Sequence, residues 1–246
     1  MVNKMNAMCL FLWLLSLVCL QAQGQDSSKN LNITGYADVY YVYNFNKPLS
    51  NTQPSFLYSY NRNNEINLNL GFVKVSYNTR GVRANFALMT GTYAQANLAA
   101  EPALVRHIFE ANIGVKLSAK NNIWLDAGIM PSHIGFESAI GKECYNLTRS
   151  ILAENSPYYE TGAKLGYTTK NEKLYLAALV LNGWQRIKRP EGNTSPAFGT
   201  QLTIKPSSGI ILNWSTFIGN DKPDSISRWR YFNNFYSIFR VGKNYL

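Results

Sequence analysis

Cysteine and histidine are scarce in this chain of 246 residues, which has three cysteines and two histidines. Cys9 and Cys19 lie within the first 24 residues, so a chain without that segment keeps only Cys144. A single cysteine excludes an internal disulfide and a cysteine-based zinc site. Neither His107 nor His133 has a partner at metal-ligand spacing, so the sequence predicts no metal site and no cofactor.

A long apolar run is also lacking after residue 24. The preceding segment has one cation, Lys4, then an apolar stretch over 9–20 and small residues near 22–24, as in a secretory signal peptide. Its apolar stretch of about twelve residues is shorter than the roughly twenty that a membrane helix needs. We expect residues 1–24 to direct export and residues 25–246 to form one domain, which crosses a membrane only as strands.

Charged residues make up only 15% of the chain, and 14 acidic residues stand against 24 basic ones. The basic residues are scattered over turns, loops and polar strand faces and do not gather on one element. A basic patch for nucleic acid is therefore not predicted, and export makes such a partner improbable. The sequence has no glycine-rich phosphate loop, internal repeat or coiled-coil heptad.

Ten segments of alternating apolar and polar residues predict ten β-strands. Long connections follow the odd-numbered segments and tight turns follow the even-numbered ones. Transmembrane barrels have this asymmetry, with short periplasmic turns and long extracellular loops. The predicted fold class is an all-β, antiparallel transmembrane β-barrel with about ten meander strands. The segments are 31–45, 65–77, 82–91, 108–117, 123–129, 158–168, 174–181, 197–205, 210–219 and 228–239.

Most predicted strands have one apolar and one polar face, because successive side chains alternate across a strand; segment 174–181 is apolar on both faces and fits this pattern least well. On segment 108–117, Phe109 and Ile113 point one way, and Glu110 and Asn112 point the other. In a membrane barrel the apolar face meets lipid and the polar face lines the lumen. The candidate pore-lining residues are Asp38, Arg83, Glu110, Lys116, Asp126, Glu160, Lys164 and Lys205.

The third long connection, 131–157, is the best candidate for a functional element, since loops of this length are usually functional or disordered. Ile140, Cys144, Leu147 and Ile151 recur at helical spacing and predict a short amphipathic helix. Two interpretations stay open: the connection folds into the lumen and narrows it, or it caps the barrel mouth from outside. The candidate constriction residues are His133, Glu137, Lys142, Glu143, Arg149 and Glu154.

Two other functional classes are weaker. An outer-membrane hydrolase would need a serine nucleophile, a histidine base and a third polar group in hydrogen-bond reach. Ser132 and His133 are adjacent, which on a strand would point them to opposite faces, so we predict no catalytic residue and no enzyme. A secreted or periplasmic β-sandwich binding protein is the main alternative, but it leaves the alternating connection lengths unexplained.

Five stretches of the sequence resemble the porin-like outer-membrane β-barrel family of Bacteroidetes. They are NNEINLNLG at 63–71, RANFALMTGTY at 83–93, PSHIGFES at 131–138, LAENSPYYE at 152–160 and GNDKP at 219–223. The resemblance runs from about Gly35 to about Tyr236. It implies a barrel in contact with outer-membrane lipid that allows passive diffusion of small polar solutes. It leaves the solute and the oligomeric state open, a homo-oligomer included.

The resemblance also bears on the C-terminal end of the barrel. Members of that family are longer, and residues 240–246 look unlike their continuation. We therefore expect an incomplete barrel, truncated at the C-terminus. The alternative is a small closed barrel of ten strands, in which segment 31–45 pairs along its length with segment 228–239.

Overall fold

In the computed structural model, one antiparallel sheet of eleven strands dominates the described residues, which are 30–146, 148–241 and 244–245. The predicted signal peptide lies outside them. Apart from the first two residues of β1, the sheet belongs to the compact unit of residues 33–246. The strands are β1 Leu31–Tyr41, β2 Ile66–Asn78, β3 Val82–Thr90, β4 Ile108–Lys116, β5 Asn122–Pro131, β6 Tyr159–Thr168, β7 Leu174–Leu181, β8 Ala197–Ser207, β9 Ile210–Asn220, β10 Trp229–Val241 and β11 Asn244–Tyr245.

The strand order is the chain order, so the sheet is a meander. The predicted fold class is confirmed, and the ten predicted segments correspond to β1–β10 with ends shifted by a few residues. The largest shift is in β1, which stops at Tyr41. Beyond it, the Asn44 backbone N–H donates to Asn63 Oδ1 at 2.6 Å, and Asn44 Oδ1 accepts from the Asn46 N–H at 3.0 Å. These side-chain bonds replace ladder bonds and turn the chain.

Because neighbouring strands are antiparallel, all tight turns fall at one end of the sheet and all long loops at the other. The tight turns are 79–81, 117–121, 169–173 and 208–209. The first to fifth long loops are 42–65, 91–107, 132–158, 182–196 and 221–228. The helices lie in these loops: α1 Thr92–Asn97 and α2 Ile151–Glu154, with 3₁₀ turns at Val105–His107, Gly141–Glu143 and Asp224–Ile226. Among the described residues, no helix has the length and apolar content to cross a membrane.

The amphipathic helix predicted between Ile140 and Ile151 is wrong. The third loop has only the 3₁₀ turn and the four residues of α2 there, and Leu147 lies outside the described residues. Arg149 holds the loop around residue 149 against residues 138 and 139, because its guanidinium donates to the Ser138 and Ala139 carbonyls at 3.0 and 2.6 Å. Helix α2 starts afresh at its own cap, the Ser150 hydroxyl, which accepts from the Ala153 N–H at 3.2 Å.

The sheet has the polarity of a membrane protein, with apolar side chains outside and charges inside. Phe86, Trp214 and Phe235 are 50%, 49% and 70% exposed, whereas Glu110 and Asp126 are 4% and 5% exposed. A soluble β-sandwich packs its apolar faces together and exposes its polar ones. This sheet does the reverse, and so large an exposed apolar surface marks a face that contacts a partner or a membrane.

A β-bulge alters the predicted facing of β4. The register between β3 and β4 pairs Ala87 with Glu110 and Leu88 with Ile108, so Phe109 is an extra residue without a partner on β3. Its ring stacks on that of Phe72, with centroids 4.8 Å apart and planes at 7°. The assignment of Phe109 to the lipid face is therefore wrong, because the bulge turns its side chain toward the inner face.

The inner face of β7 is apolar, which the sequence left unexplained. Its inward residues Ala177, Leu179 and Leu181 are buried in a cluster with Ile134 of the third loop and Phe217 of β9. A second inner cluster joins α1 and the third loop to the strand ends and includes Leu70, Met89, Tyr93, Leu98, Ala153 and Tyr158. The loops thus supply an apolar core inside the sheet at its long-loop end.

The sheet is not closed on itself. Strands β1 and β11 stand at the two ends of the strand order, and the described residues form no ladder between β1 and β10. Closure of ten strands through that pair, the alternative expectation for this chain, is therefore not observed.

Gly128 on β5 gives a direct test of the strand register. Its φ is +125°, and a Cβ built there would lie 2.2 Å from the Ala111 carbonyl oxygen of β4. We expect Gly128→Ala to lower the free energy of unfolding by about 1–3 kcal/mol through this strain and clash. Gly81→Ala is the control, because nothing lies within 4 Å of its Cβ position. Urea unfolding of the protein in lipid vesicles measures both, and equal stabilities would contradict the register.

Candidate functional site

The third loop crosses the inner face of the sheet and is fixed at one side to β9 and β10. The His133 Nε2 lies 2.8 Å from the Thr216 carbonyl oxygen, and the Ser215 hydroxyl donates to the His133 carbonyl at 2.7 Å. The Gly135 N–H donates to Asn234 Oδ1 at 3.1 Å. These contacts place the start of the third loop against the last strands of the sheet.

The same loop is fixed at the other side to β1 and β2, through the first loop. The Arg149 guanidinium donates to the Tyr60 hydroxyl at 3.0 Å, which donates in turn to Asp38 Oδ2 of β1 at 2.8 Å. Asn69 of β2 also donates to Asp38 Oδ2, at 3.0 Å. The third loop therefore reaches from the last strands of the meander to the first.

His133 forms a buried ion pair with Glu160 of β6. Nδ1 lies 2.7 Å from Glu160 Oε2, and the two side chains are 2% and 0% exposed. Both ring nitrogens face acceptors, so beside an ionised Glu160 both are donors and the ring is an imidazolium. Gly199 of β8 makes room for this ring, since a Cβ there would lie 2.7 Å from Nε2.

The pKa of His133, which lies in the third loop outside the strands, is raised above its ordinary value. Burial of the ring opposes its charge, but the hydrogen bond and charge of Glu160 and the Thr216 carbonyl together outweigh that penalty. The favourable contribution of His133 to stability is therefore fully present at pH below its unfolded-state pKa of about 6.5. It is lost as pH rises through the raised folded-state pKa.

Two buried carboxylates join the long loops to one another. Glu154 of α2 accepts from the backbone N–H groups of Tyr58 and Ser59 in the first loop and from the Tyr158 hydroxyl. Burial of the Tyr158 side chain raises the pKa of its hydroxyl most, and the nearby Glu154 charge raises it further. Glu101 of the second loop, 2% exposed, accepts from the N–H groups of Ile187 and Lys188 in the fourth loop at 2.9 and 3.0 Å.

Glu101 was missed by sequence reasoning. The available signal is its position as the one charged residue of the otherwise apolar or small stretch 98–104. Lys74 was missed as well, although it interrupts an apolar stretch of β2.

Two ion pairs on the inner face each join two strands that have one other strand between them. Arg83 of β3 binds Asp126 of β5 through Nε and Nη2 at 2.7 and 2.6 Å, above Gly114 of β4. Lys74 of β2 pairs in the same way with Glu110 of β4. Such bidentate and charge-assisted bonds hold the side chains in defined positions along the wall.

The remaining pore-lining candidates lie at different levels along the strands, between the long-loop end and the tight-turn end of the sheet. Asp38 is bonded under the third loop, as described above. Half-buried Lys164 of β6 lies opposite Asp126 in the register. Lys116 and Lys205 stand near the tight-turn end of the sheet, where Lys116 is half-buried and Lys205 is exposed. The structure therefore groups six of the eight candidates and leaves these two lysines apart.

The six constriction candidates also differ in exposure. His133, Arg149 and Glu154 are buried and bonded as described. Glu137 accepts from the Ser150 N–H at 2.9 Å and from the Ser150 hydroxyl. Lys142 and Glu143 are exposed, and Lys142 Nζ lies 5.6 Å from the ring centroid of Tyr36. Most of these side chains fasten the loop, and only the last two reach free space.

A cavity of about 540 Å³ lies between the third loop and the inner face. Its walls come from β2, β4 and β10 as well as from the loop, with Phe72, Lys74, Phe109, Glu110, Glu137 and Tyr236 among the lining side chains. Within the described residues, no group of three or more His, Cys, Asp or Glu side chains is placed to hold a metal ion.

The His133–Glu160 pair predicts a specific dependence of stability on pH. The loss in free energy of unfolding caused by His133→Gln should be about 3–5 kcal/mol on the acid side of pH 6.5, as for a broken buried pair. It should shrink as pH rises, since the wild-type imidazolium then loses its proton. In a Glu160→Gln background the same substitution should show no such shrinkage. Urea unfolding between pH 5 and 9 measures this, and a loss that is constant with pH in the wild-type background would contradict the charged pair.

Comparison with known families agrees with this arrangement. A family model described as "Putative beta-barrel porin-2, OmpL-like" matches residues 30–245, which include all eleven strands. The match includes residues 240–245, which the sequence-based prediction had placed outside the resemblance. No curated protein and no solved structure matches the chain. The chain therefore belongs to this OmpL-like family of β-barrel porins, whose porin-like role places it in the outer membrane.

Proposed function

We propose that the protein is a passive channel for small polar solutes and that its third loop sets the width of the path. The observation that carries this proposal is the span of the third loop, which bonds to Thr216 and Asn234 at one side and, through Tyr60, to Asp38 at the other. A loop held across the inner face narrows any path along that face. Of the two interpretations left open by the sequence, these contacts favour the inward one.

The polarity of the sheet supports a membrane channel over the alternative of a soluble binding protein. The exposed apolar face suits lipid, and the inner face offers buried charges and amides along strands β2–β6. In a bilayer every backbone N–H and C=O must be paired, so a spanning sheet has to be closed. We propose that strands beyond the eleven described here, from continuing chain or from a second copy, pair with the edges at β1 and β11.

Export through residues 1–24 completes the proposal. Their composition is that of a signal peptide, and delivery to the outer membrane requires secretion first. N-terminal sequencing of the protein purified from outer membranes is expected to begin near residue 25. A start at residue 1 would contradict cleavage.

Conductance tests the channel directly. The protein purified from outer membranes, with the strands that complete its sheet, should give discrete, ohmic current steps in planar bilayers, because a water-filled path along the inner face conducts ions. Arg149→Met should enlarge the steps or make them unstable, since it removes the bonds to Tyr60 and to the Ser138 and Ala139 carbonyls. Arg80→Met, in the exposed turn 79–81, is the control and should leave the steps unchanged. A silent bilayer would refute the channel.

Ion selectivity should be weak. The buried acids of the wall, Glu110, Asp126 and Glu160, are each paired with a cationic side chain, so they present little net charge to a passing ion. Without residues 1–24, whose one charged residue is Lys4, the net charge is +9, and it resides mainly in loops and turns, where it favours anions slightly. Reversal potentials in a KCl gradient are expected to be near zero or weakly anion-selective. A strongly cation-selective potential would contradict this distribution of charge.

Topology follows from the orientation of the strands. With a periplasmic N-terminus, the long loops face outside the cell and the tight turns face the periplasm. In a Cys144→Ser background, a membrane-impermeant thiol reagent on intact cells should label cysteines at Ala100 and Glu191 and spare those at Lys120 and Ser208. All four positions are exposed, so the side of the membrane decides the result. Labelling of the second pair alone would reverse the orientation.

A further inference from the structure

The cavity under the third loop has an aromatic wall built from two strands. The Phe72 and Phe109 rings are stacked with their centroids 4.8 Å apart, and Tyr36 of β1, outside the cavity lining, lies 5.4 Å from Phe72. All three side chains are half-buried. The β-bulge in β4 is what directs Phe109 into this row. A local break in the ladder thus serves to place one ring on the inner face.

A second aromatic pair lines the same cavity. Phe136 of the third loop and Tyr236 of β10 lie with ring centroids 5.3 Å apart. The volume of about 540 Å³ falls within the range of about 300–1,000 Å³ that is usual for small-molecule sites. Aromatic faces on two walls suit a solute that has a flat or gently puckered ring.

The charged groups that line this cavity are only partly paired. Lys74 pairs with Glu110, whose Oε1 also accepts from Asn112 Nδ2 at 3.0 Å. The Glu137 carboxylate binds Ser150. At the edge, the exposed Lys142 and Glu143 are adjacent and of opposite sign. The cavity therefore offers closely spaced donors and acceptors, and the Glu137 and Glu143 carboxylates, which form no ion pair among the described residues, give its lining a negative charge.

We propose that this cavity binds neutral, ring-shaped polyhydroxyl solutes of the saccharide class as they pass through the channel. The apolar ring face of such a solute would lie against Phe72 and Phe109, and its hydroxyls would exchange hydrogen bonds with Lys74 and Glu110. A purely apolar solute would leave that ion pair without solvent, which is costly. An anion would be repelled by the Glu137 and Glu143 carboxylates, and block by an organic cation is the competing outcome of the test. This inference rests on the proposed channel function.

Block of the ion current by added sugar tests the proposal. D-glucose and maltose should each reduce the KCl conductance in a saturable way, and sorbitol, which has hydroxyls but no ring, should reduce it only through viscosity. Phe72→Leu and Phe109→Leu should raise the half-blocking concentration of maltose at least about threefold, by removing ring contacts. Phe86→Leu is the matched control, because the Phe86 ring is exposed on the outer face of β3.

The outcomes separate the two proposals. Absence of conductance in the wild type refutes the channel itself. Conductance without saturable block by either sugar, or equal block by sorbitol, overturns the saccharide site and leaves the channel standing. Stronger block by tetramethylammonium than by maltose assigns the aromatic wall to organic cations and also overturns it. Block that persists unchanged in Phe72→Leu and Phe109→Leu places sugar binding elsewhere.

Discussion

The structure depends on the need to pair buried charge on the inner face of the sheet. With its apolar side chains turned outward, the sheet places Glu110, Asp126 and Glu160 inside and almost fully covered. An unpaired carboxylate in such surroundings would be strongly destabilising. Lys74 and Arg83 pair with Glu110 and Asp126 from strands two positions away in the sheet, whereas the partner of Glu160 is His133 of the third loop. The inward position of that loop is thus linked to the electrostatics of the wall.

The same principle organises the long-loop end of the protein. Buried Glu154 binds the third loop to the first, and buried Glu101 binds the second loop to the fourth. Asp224 of the fifth loop accepts from the Thr194 N–H and hydroxyl in the fourth at 3.0 and 2.6 Å, and these bonds lower the pKa of its carboxyl. Carboxylates that accept backbone N–H bonds satisfy loop groups that have no ladder partner. The Tyr158 N–H of the third loop donates to Gln185 Oε1 of the fourth at 2.8 Å and joins these contacts into one cover of five loops over one end of the sheet, with the cavity beneath it.

The strands could be predicted from the sequence because alternation and connection length are local properties of the chain. The inner facing of Asp126 and Glu110 followed from the same alternation. The facing of Phe109 did not, since the bulge depends on how β3 and β4 align. The path of the third loop could not be predicted from the sequence either. Its helical spacing was misleading, because Arg149 bonds to carbonyls of residues 138 and 139 and to Tyr60, which is far away in the chain.

The central claim is that the third loop lies across the inner face and bounds the path of solutes. Its most direct test is a cross-link between Phe136 of that loop and Tyr236 of β10, whose rings lie 5.3 Å apart. In a Cys144→Ser background, the double variant Phe136→Cys/Tyr236→Cys is treated in lipid vesicles with a bis-maleimide whose spacer spans the gap left by the two rings, since a direct disulfide requires closer Cβ atoms than neighbouring rings guarantee, and is then studied in planar bilayers. We expect nearly complete cross-linking, with single-channel conductance unchanged from the untreated double variant. A pair that does not cross-link, or one whose cross-link sharply reduces the conductance, would show that the loop normally lies outside the path.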